Sequence, residues 1–223
     1  MDPASRLLSL KELYHLQAAA FQPYQTACKP GCSSCCTRNV VITSLEADFI
    51  IQGMSSDNST RLQSAFLNQP ALLRLQPRIT MNTMASLYME GEEPQEDAAD
   101  PAWWPCPLMD TDQKTCLVYE YRPMACRCMV SKINCETSGA ADMEEGLVIL
   151  HTLFLQLTEH LDANGRSASL LDLLMERLFP GSVSIPMPEN RKIPMLMIPG
   201  SWQQKLRPLL EEIQSLFTPI KEE

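Results

Sequence analysis

Positive charge is scarce in this sequence: 18 Lys and Arg stand against 27 Asp and Glu, a net charge of −9 over 223 residues. A protein that binds nucleic acid non-specifically needs a cationic face to displace phosphate counterions. Anionic lipid repels an acidic surface for the same reason. No nucleic-acid partner and no membrane partner are therefore expected. Long apolar runs are missing too. The best, residues 146–157, is broken by His151 and Gln156, and falls short of the ~18–20 apolar residues that cross a bilayer. The start, Met1-Asp2-Pro3-Ala4, has an acid where a secretory leader has bases, so a cytoplasmic protein is expected. Glycine is sparse, with eight residues and no Gly-x-Gly loop to cradle a nucleotide.

Cysteine is absent from residues 1–27 and 136–223, yet nine cysteines lie between: Cys28, Cys32, Cys35, Cys36, Cys106, Cys116, Cys126, Cys128 and Cys135. Their number is too low for a small disulfide scaffold. In a reducing compartment, clustered cysteines read as metal ligands or redox groups. The first cluster is Cys28-x3-Cys32-x2-Cys35-Cys36. Thiolate is a soft ligand suited to zinc and iron, and short spacings close a chelate loop at small entropic cost. Pro30-Gly31 supplies a tight turn between the first two sulfurs. The second cluster runs Cys106-Pro107, Cys116-x2-Tyr119, Arg122-Pro123-x2-Cys126-Arg127 and Cys135. Arg122 and Arg127 would stabilise neighbouring thiolates, and Tyr119 can donate a hydrogen bond. Adjacent Cys35 and Cys36 point apart in an extended chain, so they are expected to serve different sites, with the two segments interleaving their ligands. Trp103-Trp104 is expected to shield the site from water.

The rest of the chain reads as helix. Leu7, Leu8, Leu10, Leu13, Leu16 and Phe21 recur at helical spacing over residues 5–22, and Pro23 follows. Val40-Val41-Ile42 suggests a short strand, and Thr43-x-x-Glu46 a capping box opening a helix to Gly53. Ser55–Asn68 reads as another helix. Residues 79–113 contain no Lys or Arg, and Glu90–Asp100 reads as a solvated acidic loop. Helices are expected over 140–161, 167–179 and from Ser201 with a Ser-x-x-Gln cap, around an irregular proline-rich strip at 184–200. His15, His151 and His160 are read as surface or core residues and not as ligands. The expected fold is mainly α, with an irregular cysteine-rich metal-binding centre and little β. Its expected organisation is a cysteine-cluster domain over residues 1–139 and a helical region over 140–223 packed on it.

The two signatures together resemble the YkgJ-type CxxCxxCC cysteine-cluster family, a zinc- or iron-chelating domain that is also related to the N-terminal part of flagellin lysine methylases. The resemblance covers roughly residues 25–136. Matched in order, its eight cysteines correspond to Cys28, Cys32, Cys35, Cys36, Cys106, Cys116, Cys126 and Cys135. Cys128 is left over, and reads as a packing thiol. The resemblance implies a metal-binding protein that holds zinc, iron or an iron–sulfur cluster. Eight thiolates suit two zinc sites of four cysteines apiece, or one [4Fe-4S] cluster plus a second site. Two alternatives accompany this reading. One is a cluster- and S-adenosylmethionine-dependent methyl-transfer or radical enzyme, suggested by the Cys28-x3-Cys32-x2-Cys35 spacing. The other is a thiol redox switch through Cys32-x2-Cys35.

Overall fold

A computed structural model describes residues 2–68, 75–94 and 104–217. It is mainly helical, with two small antiparallel sheets. Helix α1 (Pro3–Phe21) starts two residues before the apolar pattern does, because Asp2 caps it and Pro3 fits its first turn. The Asp2 carboxylate accepts from the backbone N–H groups of Ala4 and Ser5 at 3.0 and 3.1 Å. Strand β1 (Val41–Thr43) leads straight into α2 (Ser44–Gln52), whose Thr43–Glu46 capping box is formed as expected. Helix α3 (Ser56–Leu67) is capped by Ser55 and stops at Asn68; the Gln69-Pro70 breaker lies outside the described residues.

Helix α4 (Met81–Glu90) was not anticipated. Thr80 caps its start, and Gly91 ends it in the left-handed conformation at φ 75°. Residues 92–94 follow as non-helical chain; the remainder of the expected acidic loop lies outside the described residues. A hairpin of β2 (Met109–Asp110) and β3 (Thr115–Cys116) leads through a 3-10 turn (Tyr119–Tyr121) to the short helices α5 (Met124–Cys128) and α6 (Cys135–Ser138).

Helix α7 (Glu145–Leu161) begins five residues later than expected. The preceding chain is held elsewhere: the Asp142 carbonyl accepts from Lys132 N–H at 2.9 Å and its N–H donates to Ser131 Oγ at 3.0 Å. The helix expected over 167–179 is also shorter. Its first three residues form β4 (Ser167–Ser169), paired antiparallel with β1, so that Ile42 faces Ala168, and α8 spans Leu170–Leu178. Tertiary pairing with β1 overrides local helical preference there. Helix α9 (Gly200–Phe217) starts at Gly200, which places Ser201 inside the helix and not at its cap. Residues 184–199 are irregular as their prolines require. Among the described residues, no helix is long and apolar enough to cross a membrane.

Two apolar clusters hold these elements. The first joins α1, α7 and α9 through Leu10, Leu13, Leu147, Leu153, Phe154, Leu206 and Ile213. The second joins α2, α3 and α8 through Ala47, Ile50, Leu62, Leu171 and Leu174. Helix α5 lies between them. Met124 and Cys128 enter the first cluster; Ala125 and Cys126 pack against the second.

Helix α7 grips the irregular strip with a buried polar edge. Gln156 Oε1 accepts from Met197 N–H at 2.9 Å, and the Glu159 carboxylate accepts from Asn82 N–H, Arg191 N–H and the Thr80 hydroxyl at 2.8, 2.9 and 2.6 Å. Asp162, just past the helix, accepts from Ser44 Oγ and Asn190 Nδ2 at 2.7 and 2.8 Å.

Glu46 is the corresponding tie on the other side. Its carboxylate accepts from Thr43 N–H at 3.0 Å, Tyr14 Oη at 3.2 Å and Met124 N–H at 2.7 Å. It thereby fastens α1, β1 and the start of α5, whose own cap residue, Pro123, makes no side-chain hydrogen bond. Burial pushes its carboxyl pKa up, against these donors. Glu46→Ala takes the acceptor from four buried donors, the N–H groups of Thr43 and Met124 and the hydroxyls of Tyr14 and Thr43, at about 1–3 kcal/mol for each one left unpaired. Urea denaturation should show a loss of at least ~3 kcal/mol, and a loss under ~1 kcal/mol would mean that the tie is dispensable.

Candidate metal centre

The chain between α1 and β1 is turn structure, as Pro30-Gly31 and the serines dictate. Gly31 takes φ 83°, and Cys32 N–H donates to Lys29 O at 2.9 Å. A second turn closes with Cys36 N–H on Ser33 O at 2.9 Å. Beyond it the chain straightens and pairs with the segment before β2. Cys106 N–H donates to Cys36 O at 2.9 Å and Arg38 N–H to Trp104 O at 3.0 Å, with Thr37 opposite Pro105 between them. This short ladder brings together two cysteine segments that lie 70 residues apart in sequence.

Eight of the nine cysteines line one cavity of about 1520 Å³: Cys28, Cys32, Cys35, Cys36, Cys106, Cys116, Cys126 and Cys135. The ninth, Cys128, is fully buried in the first apolar cluster. Helix geometry separates it from Cys126, because two residues along a helix turn ~200°. None of the nine forms a disulfide. The eight thiols meet on one cavity but not on one ion-sized point. Among the described residues, no three His, Cys, Asp or Glu side chains are gathered closely enough to hold an ion as they stand.

Electrostatics sort the eight into two neighbourhoods. The Cys28 thiol is pushed up by burial and by the nearby Cys32, Cys35 and Cys135. The Cys36 thiol is pushed up by its hydrogen bond to Cys35, by burial, and by Cys35, Cys106 and Cys126. Cys126 is raised by burial and then by Cys106, Cys116 and Cys35, and Cys106 to about 11, again chiefly by burial. Cys35 stands at the join. The hydrogen bond from Cys36 lowers its thiol to about 6, and the Arg122 guanidinium helps.

The flanking residues divide differently from expectation. Arg122 does act on thiolates: it helps to lower Cys35, and it opposes the burial that pushes the Cys116 thiol up. Its guanidinium lies 3.8 Å from the Tyr119 ring centre, so that Tyr119 serves as a face for the cation. Arg127 acts on Cys128, outside the cavity, where its charge opposes the upward push of burial; it is also a strut that donates to the carbonyls of Arg122 and Glu120 at 2.8 and 2.6 Å and lies over Tyr14. Trp104 is 55% exposed and carries Arg38 on its ring at 5.5 Å, so it is no water shield; Trp103 lies outside the described residues. His15 is exposed, and His160 Nδ1 accepts from Ile193 N–H at 3.1 Å. His151, read from sequence as a bland helix residue, lines the cysteine cavity. Its nine-residue separation from His160 gave no sign of this.

Residues 27–145 match the model of the CxxCxxCC family, described as "Putative zinc- or iron-chelating domain". The chain belongs to this family. Neither the comparison with curated proteins nor that with solved structures gives a match. The matched segment begins one residue before Cys28 and ends at the first residue of α7. It contains all nine cysteines, and leaves α1 and most of α7, with all of α8 and α9, outside it.

Reactivity should follow the same division. In metal-free protein Cys35 is exposed with its thiol near 6, whereas burial holds Cys128 far above its usual value. Iodoacetamide labelling read by peptide mass spectrometry should modify Cys35 early and Cys128 only on unfolding. Because the thiolate is the nucleophile, the Cys35 rate should fall about tenfold per pH unit below 6. A rate still rising steeply between pH 7 and 9 would contradict the assigned thiolate.

Proposed function

We propose that this protein binds two metal ions, zinc or iron, through two four-cysteine sites. Cys28, Cys32, Cys35 and Cys135 hold one; Cys36, Cys106, Cys116 and Cys126 hold the other. The observation that carries this reading is the convergence of eight free thiols on a single cavity, with Cys128 alone withdrawn into the core. Family membership supports metal chelation in general. The donor set fits: four thiolates suit tetrahedral zinc, iron, or a four-iron cluster. Each ion supplies the positive charge that lets crowded thiolates ionise together.

The two groups meet at the Cys35-Cys36 peptide, which supports the interleaving of ligands. Cys36 belongs to the ladder with Cys106, and Cys35 to the turn before it. The role of the ions is to organise a centre that has little regular structure of its own. A reducing, cytoplasmic setting is part of the reading, since nine thiols without a disulfide need one. The radical-enzyme alternative gains no support from the strands, which among the described residues form only two-stranded antiparallel sheets and not a parallel barrel.

Anaerobic purification followed by elemental analysis and an absorption spectrum tests the proposal. Two equivalents of metal per chain are expected, zinc in a colourless protein and iron in a coloured one; eight irons in a brown protein would mean four-iron clusters in place of the two single ions. Cys32→Ser and Cys126→Ser should each lose about one equivalent and lower the melting temperature, because ligation is coupled to folding. Cys128→Ser should keep both ions yet lose about 1–3 kcal/mol, the cost of a buried hydroxyl without a partner. Unchanged metal content in both ligand variants would refute the assignment.

A further inference from the structure

We infer that the two sites are unequal: the Cys36–Cys106–Cys116–Cys126 ion is a permanent structural one, and the Cys28–Cys32–Cys35–Cys135 ion is exchangeable with thiolate ligands from solution. The inference rests on the two-site reading above and concerns what each set of sulfurs is attached to.

Three of the inner four are anchored in the fold. Cys106, Cys116 and Cys126 pack against the second apolar cluster. Cys116 ends β3 in the hairpin, where it stands opposite Met109, and Cys126 sits in α5, whose first turn is tied to Glu46. The fourth, Cys36, is held to Cys106 by the ladder. To free these sulfurs the chain must peel the hairpin or α5 away from a core containing Leu171 and Leu174.

The outer four are attached to no core. Cys28, Cys32 and Cys35 lie in turns closed by single backbone bonds, such as Cys32 N–H to Lys29 O, and Ala27 N–H to Ser131 O at 2.8 Å holds the loop's entry. Cys135 opens α6, a four-residue helix ending at Gly139 in the left-handed region. Two ion pairs flank α6, Lys114 with Glu136 at 3.0 Å and Lys132 with Asp142 at 3.1 Å; both are about half exposed and so contribute little. Cys28 and Cys35 are exposed to solvent. An incoming thiolate therefore has direct access to two of the four ligands, and opening the site needs a local fluctuation of turns instead of loss of the core.

The exchange is ligand substitution. An incoming thiolate forms a bond to the ion as a cysteine thiolate leaves, and the leaving thiolate takes a proton from water or stays ionised. The ion keeps its valence, so no oxidant or reductant is required. A soft divalent ion at the outer site is thereby available to a thiol-rich acceptor, while the inner ion stays with the fold.

Protein loaded with two equivalents of zinc is mixed with excess of the chromogenic chelator 4-(2-pyridylazo)resorcinol, and release is followed by absorbance. Two phases of about one equivalent each are expected, with rates at least ~10-fold apart because one opening is local and the other is not. Cys135→Ser and Cys28→Ser should each abolish the fast phase and keep the slow one, with far-ultraviolet circular dichroism confirming that both variants remain folded. Release of both ions in one phase, or a lost slow phase in either variant, would overturn the inference while leaving two-site binding intact. Failure to load two equivalents would instead overturn the two-site reading, and the inference with it.

Discussion

The ladder between residues 36–38 and 104–106 is the contact on which the centre depends. It consists of two backbone hydrogen bonds across one bridge. Before it forms, the first cysteine cluster is a flexible turn segment and the second lies 70 residues further on. Afterwards, Cys36 and Cys106 share a backbone pair, and the other six cysteines of the cavity lie in the segments on either side. A ladder so short is not stable alone in water. It is sustained from both flanks, by β1 pairing with β4 behind it and by the β2–β3 hairpin ahead of it.

A second constraint acts on α5. Helix α5 spans five residues and sends one thiol into the cavity and the other into the core. So short a helix is marginal without tertiary support. Glu46 provides that support by accepting from Met124 N–H while it also completes the capping box of α2 and binds Tyr14. One buried carboxylate thus connects the first helix, the first strand and the cysteine-bearing helix. The Tyr121 ring closes over the end of α2, and occupies the space where a side chain on Gly53 would stand, so only glycine allows that approach.

Much of this was legible in sequence. The capping boxes, prolines and apolar periods located α1, α2, α3 and most of α7, because those signals are local and their hydrogen bonds close within a few residues. The leftover status of Cys128 was legible as well, and its burial beside Met124 accords with it. What was missed needed a partner. Helix α4 carries no charge pattern, and its start is secured by Glu159 from α7. Residues 167–169 became strand because β1 was there to pair with them. Gln156, which looked like a flaw in an apolar stripe, holds the proline-rich strip through Met197.

Read alone, the amino-acid order established the chemistry: soft sulfur donors at chelating spacings, turns around them, a net negative charge, and helices elsewhere. Residue type and local backbone preference suffice for each of these. Which cysteines stand together was decided by tertiary structure alone. That depends on strand pairing across 70 residues and on the side of α5 each thiol occupies. Spacing along a chain constrains neighbours within a turn or two, whereas sulfurs from distant segments meet only where a core and a ladder hold both segments still.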